Sequence, residues 1–180
     1  MKNQLLLQAA DFAAQKHRDQ KRKDAVASPY INHPITVARL LADVGGVEDE
    51  EILAAALLHD TVEDTETTLE ELQACFGARV RGFVAEVTDD KTLCKEERKS
   101  RQVEHAQDLS AAAALIKLGD KISNVVDVIH NPPAGWKLSR RIEYLDWSEQ
   151  VMGNLPPVNA PLEARFREVL AHGRKQLEEG

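Results

Sequence analysis

The chain has 180 residues, a formal net charge of −7, 43% apolar residues and 29% charged residues. That length and balance suit one soluble globular unit with its own core. The negative charge disfavours general binding to nucleic acid, which rests on neutralising phosphates with Lys and Arg; a small anionic substrate stays open, because a local basic patch or a bound cation reverses the field inside one cleft.

Apolar residues recur at helical spacing along almost the whole chain. The first expected helix covers 4–18. Its start, "MKNQLLLQAADFAAQKH", has three leucines but no continuous apolar region and no small-residue cleavage site, so no signal peptide is read there. A polar loop at 20–33 follows. Pro34 opens "PITVARLLADV" where a missing N–H costs nothing, and Gly45-Gly46 stops it. "EDEEILAAALLHD" carries acids in its first turn, where they suit the helix dipole. "TTLEELQACFG" begins with a Thr-x-x-Glu capping signal and ends in Gly77, with a further helix at 78–88. Residues 89–95 read as a loop and "KEERKSRQVEHAQ" as an exposed charged helix. "AAAALIKLGDKISNVVDVIH" is the most core-like helix, closed by Pro132-Pro133; helices at 138–152 and 161–178 complete the chain.

No convincing strand pattern, repeat or linker interrupts this series, so the expected fold is all-α, a single bundle of about eight helices spanning 1–180. No apolar run approaches the roughly 18 residues of a membrane span, so a cytoplasmic protein without a membrane partner is expected. Cys75 and Cys94 lack metal-binding spacing and read as free thiols of a reducing compartment.

One stretch does not fit a plain bundle. "LLHDTVEDT" follows the apolar "EILAAA" and gathers a histidine and three carboxylates. On a wheel of about 100° per residue with His59 at zero, Glu63, Asp60 and Asp64 fall at about 40°, 100° and 140°, and Ile52, Ala56 and Leu53 at about 20°, 60° and 120°. The ionisable cluster therefore continues the apolar face instead of opposing it. Acids at a helix C-terminus oppose the dipole, and Asp60 and Asp64, four apart, repel. Two readings fit: the helix runs out into solvent, or a bound cation gathers the cluster.

Two further pieces bear on that choice. His33 in "YINHP" sits beside Pro34 at a loop-to-helix junction, as a cap, a surface residue or a ligand. Lys117, Asp120 and Asn124 share one edge of the "KLGDKISN" helix, beside the apolar stripe of Leu118, Ile122, Val125 and Ile129. An aspartate bordering a core stripe needs a partner, either Lys117 or Lys121 or a metal. Taken together, His33, His59, Asp60 and Asp120 supply two imidazoles and two carboxylates. That set suits a borderline divalent ion such as Mn, Fe, Co or Zn and leaves positions open for water and substrate. "KRK" at 21–23 is a solvated basic loop or a phosphate grip.

The stretches "HRDQKRKD", "PYINHP", "AALLHDTVEDT", "VTDDKT" and "KLGDKISN" together resemble the hydrolase domain of RelA/SpoT proteins, within the HD phosphohydrolase superfamily. They look most like stand-alone small alarmone hydrolases related to metazoan SpoT homologues. The likeness runs from about residue 8 to residue 150, with the 161–178 helix expected to pack on that unit. It implies an all-helical, Mn2+-dependent hydrolase acting on a small guanine nucleotide. The implied reaction removes the 3′-pyrophosphate of (p)ppGpp, giving GDP or GTP plus pyrophosphate, with no synthetase domain. By the same resemblance, His33, His59, Asp60 and Asp120 are the metal ligands. Glu63 and Asp64 position or activate the attacking water. Arg22 and Lys23 lie at the phosphate side, Asn124 at the sugar and phosphate, and Arg140 and Tyr144 at the pocket wall. Removal of the 2′-phosphate of NADPH, hydrolysis of nucleoside monophosphates, and nucleotide binding without turnover are the competing readings.

Overall fold

The computed structural model describes residues 4–179, so the two ends of the 1–180 unit lie outside the described residues. Among those residues there are nine α-helices, one 3₁₀ turn and no strand beyond an isolated bridge between Lys21 and Pro29. The helices are α1 (Gln4–Lys16), α2 (Asn32–Asp43), α3 (Glu50–Leu58), α4 (Thr61–Asp64), α5 (Leu69–Val87), α6 (Lys95–Glu104), α7 (Ala111–His130), α8 (Leu138–Gly153) and α9 (Ala160–Glu179). The all-α class expected from the sequence is the class observed.

The short helix α3 is the hub. Leu53 to Leu58 are all buried, six in a row. A helix that is apolar all round must be enclosed, and α3 is packed by α1, α2, α5 and α7. Asp49 caps it, accepting the Glu51 N–H at 2.9 Å. The second axis is α7, which packs on α2, α5, α8 and α9. Its Gly119 lets α2 approach closely: a Cβ there would sit 3.1 Å from Leu41 Cδ2 and 3.2 Å from Val37 Cγ1. Asn159 fastens α9, accepting the Leu162 N–H at 3.0 Å and donating to the Gly45 carbonyl at 2.8 Å. No described helix is long and apolar enough to cross a membrane. Cys75 and Cys94 are both free and exposed.

Two boundaries differ from the sequence reading. The helix expected to open at Pro34 begins at Asn32, which puts His33 inside the first turn. The two helices expected around Gly77 are both present within the span of α5, parted at Gly77 by φ 84° and ψ 172°. That left-handed φ is open to glycine at little cost. The second difference matters for the site: the helix expected to run through His59 and Asp60 ends at Leu58. Asp60 adopts φ −95° and ψ −5°, and the Thr61 hydroxyl donates to the Leu58 carbonyl at 2.7 Å. The chain then resumes as the four-residue α4. A single continuous wheel therefore does not describe His59 to Asp64.

Leu58 is fully buried one residue before this break. Leu58→Ala is expected to cost about 2–5 kcal/mol of stability, read as a lower urea midpoint. A loss below about 1 kcal/mol would mean that α3 is not the hub described.

Candidate active site

The break after α3 turns His59 and Asp60 toward α2 and α7. His59 Nε2 lies 3.2 Å from Asp60 Oδ2 and 3.8 Å from Asp120 Oδ1. His33 Nε2 lies 3.2 Å from Asp120 Oδ1 and 3.6 Å from Asp60 Oδ2. The four residues first singled out in the sequence thus meet at one point, from α2, the α3–α4 turn and α7. Both histidines are buried, and the two aspartates retain 17% and 14% side-chain exposure, so the group opens to solvent only through its carboxylates.

Each imidazole is oriented by its other nitrogen. His59 Nδ1 lies 2.8 Å from the Ala56 carbonyl, which can only accept, so Nδ1 carries the hydrogen. His59 Nε2 is then the free end, and it has no hydrogen-bond partner although buried. His33 Nδ1 meets the Ser123 hydroxyl at 3.1 Å. Ligand atoms of His33, His59 and Asp60 lie within 4.8 Å of one another. Asp120 Oδ1 stands across from them, where it also accepts Asn124 Nδ2 at 2.5 Å. An orphaned imidazole nitrogen facing mixed nitrogen and oxygen donors, with no thiolate, fits a borderline divalent ion.

The local charges are strongly coupled. Burial opposes an imidazolium at His59, but the carboxylates of Asp60 and Asp120 outweigh it and raise its pKa to about 10. Burial likewise opposes the charge on Asp60 and Asp120. The adjacent imidazoles, and Lys121 beside Asp120, hold both below the usual carboxylate range.

Glu63 and Asp64 project from α4 beside this group and differ in how they are held. Asp64 is crowded with donors: Tyr30 Oη at 3.0 Å, Gln20 Nε2 at 3.3 Å and the Lys91 ammonium. The Tyr30 hydroxyl also reaches Asp60 Oδ2 at 2.7 Å, so one proton serves two carboxylates. Burial pushes the Tyr30 phenol up, and Asp60 and Asp64 add to the shift. Glu63 has less support. Its Oε2 accepts the Asp89 N–H at 3.2 Å, and its Oε1 lies 3.9 Å from Arg98 Nη1. Burial, with Asp89 and Asp60 nearby, raises its pKa to about 7.

The four-residue group sits in a pocket of about 170 Å³ that shares Arg22, Tyr30, Asp64 and Asn124 with an outer cleft of about 280 Å³. Arg22 Nη2 donates to Asp127 Oδ2 at 2.5 Å and to Asn124 Oδ1 at 2.9 Å, leaving the rest of its fork for an anion. Lys23 lines the outer cleft with an exposed side chain, and Trp136 and Tyr144 line it with two rings 5.8 Å apart. Arg140 stands farther out: it is exposed and stacks its guanidinium 4.4 Å over Trp136 instead of lining either pocket.

Sequence reasoning passed over several residues found here. Tyr30 lay inside the motif that flagged His33, but a phenol bridging two carboxylates has no sequence signature. Asp89 and Lys91 lie in the "TDDKT" stretch, whose role the spacing did not reveal; the fold uses it to hold the two acids of α4. Gln20 and Trp136 carried no signal of their own.

The profile described as HD domain matches residues 9–144. The chain belongs to the HD domain family. Among HD relatives, it is 54% identical to the guanosine-3′,5′-bis(diphosphate) 3′-pyrophosphohydrolase MESH1 of Mus musculus over 91% of this chain and 92% of that protein. It is 46% identical to the Drosophila melanogaster protein of the same name over 91% of each. A solved structure described as a metazoan ortholog of SpoT that hydrolyzes ppGpp and plays a role in starvation responses superposes with a TM-score of 0.92. That match has 44% identity and covers 96% of this chain and 97% of that one.

His59→Ala and Asp60→Ala are expected to abolish binding of a stoichiometric divalent ion, measured by elemental analysis after dialysis. Metal content equal to wild type would remove both residues from the centre.

Proposed function

We propose that this chain is a metal-dependent hydrolase that removes the 3′-pyrophosphate of ppGpp or pppGpp, yielding GDP or GTP and pyrophosphate, and so degrades the alarmone in the cytoplasm. The observation that carries the reading is the meeting of His33, His59, Asp60 and Asp120 at the floor of a cleft edged by Arg22, in a chain 54% identical to a named ppGpp pyrophosphohydrolase. Residues 1–180 act as one such domain on this reading.

His33, His59, Asp60 and Asp120 are the residues that would hold the ion, with Mn2+ the proposed occupant and Fe, Co and Zn within the same donor preference. Such an ion supplies Lewis acidity, neutralising phosphoryl oxygens and making water a better nucleophile near neutral pH. Glu63 accepts the proton of the attacking water; the Asp89 N–H holds its Oε2 and leaves Oε1 to do so. Asp64, held by Tyr30, Gln20 and Lys91, orients that water. Water adds to the phosphorus that bears the ribose 3′ oxygen, the bond between them breaks, and the ribose oxygen takes up a proton. Arg22 and Lys23 bind the diphosphate, where Arg offers a bidentate fork. Asn124 fixes the sugar side, and Tyr144 with Arg140-backed Trp136 walls the nucleotide.

The test is product analysis after incubation with Mn2+ and ppGpp. GDP and pyrophosphate in equal amounts are expected, with Glu63→Gln slower by about 10²–10⁴-fold while retaining its metal. Release of orthophosphate from NADPH or a nucleoside monophosphate, with ppGpp untouched, would move the substrate elsewhere.

A further inference from the structure

Lys121 is hard to explain as packing. It follows Asp120 on α7 and is only 3% exposed. Its ammonium faces three groups: Asp120 Oδ2 at 3.6 Å, Gln102 Oε1 at 3.1 Å, and the Trp147 ring at 4.2 Å. Burying an ammonium is costly, and an apolar chain of similar length would fill the space more cheaply.

What the ammonium adds is direction. A carboxamide has an acceptor on one side and donors on the other. Lys121 can only donate, so the Gln102 oxygen turns toward it and the Gln102 NH₂ turns away. That NH₂ donates to Asp89 Oδ2, and Asp89 in turn offers its backbone N–H to Glu63 Oε2 at 3.2 Å. The series runs from Asp120, through Lys121, Gln102 and Asp89, to Glu63. It crosses from α7 to α6, then through the loop after α5 to α4.

Apolar burial does not replace this connection. Helix α6, which carries Gln102, has no buried residue. Polar contacts with α8 and the residue after it tether it: the Trp147 Nε1–H to the Lys99 carbonyl at 3.1 Å and Asn154 Nδ2 to the Val103 carbonyl at 3.0 Å. Helix α4 is one turn long and cannot orient Glu63 by itself.

We propose that Lys121 and Gln102 are positioning residues that fix Glu63 relative to Asp120, so that the proton acceptor and the ion-holding carboxylate keep a set separation. This rests on the reading of Glu63 given above.

The decisive variant is Gln102→Glu. It keeps the shape and the contact to Lys121 but turns the donor toward Asp89 into an acceptor. Lys121→Met, which empties the ammonium position, is the second variant. Two readouts are taken on Mn2+-loaded protein: steady-state kinetics with ppGpp, and hydrogen exchange at the Asp89 amide without substrate. For Gln102→Glu, kcat is expected to fall about 10–100-fold, with KM and bound Mn2+ unchanged. Exchange at Asp89 is expected to quicken about tenfold. Wild-type kcat, or exchange at Asp89 that does not change, would overturn the proposal. Should the wild-type protein release no pyrophosphate at all, the functional reading falls, and exchange at Asp89 still decides the role of Lys121 and Gln102.

Discussion

Asp60 and Asp120 are mostly withdrawn from water, with 17% and 14% of their side chains exposed, and lie 3.2–3.8 Å from two imidazole nitrogens. A carboxylate at such a depth costs several kcal/mol unless its charge is met, and much of the surrounding architecture meets it. Tyr30 donates to Asp60, Asn124 and Lys121 face Asp120, and the histidines stand between the two. The apolar α3 exists in a place where only a buried helix fits, and its abrupt end at Leu58 delivers His59 and Asp60 into the gap between α2 and α7. The break after α3 is thus where fold and chemistry meet.

An acidic protein can still grip an anionic nucleotide because charge is arranged locally. The chain carries −7 overall, yet the mouth of the site presents Arg22 and Lys23, with Lys117 and Lys121 at its floor. A divalent ion held by the four-residue group would complete the reversal of sign. The aromatic pair of Trp136 and Tyr144 adds a wall suited to the flat part of a nucleotide. On the proposed function, different parts of one cleft would answer to different parts of one substrate.

Much of this was legible before any coordinates. Helical periodicity gave the class and nearly every element, and the caps at Asp49, Thr68 and Ser110 lie where the pattern needs them. The misplacement of the acids at 60–64 pointed to the site, although the wheel behind that inference assumed a helix that the chain breaks. Periodicity cannot register such a break, because Thr61 achieves it with a side-chain hydrogen bond to the backbone. Nor can it register partners distant in sequence. Tyr30 meets Asp64 across 34 residues, and Gln102 meets Lys121 across 19. Such contacts depend on how helices cross, which local residue patterns do not encode.

On the proposed function, the four-residue group holds one ion that turnover requires. Metal-free protein titrated with Mn2+ while pyrophosphate release from ppGpp is followed tests it directly. Turnover is expected to be absent without metal, to rise in step with bound Mn2+ and level at one ion per chain, and to stay flat in Asp120→Asn. Turnover that persists in fully chelated protein, or an Asp120→Asn variant that titrates like wild type, would contradict it.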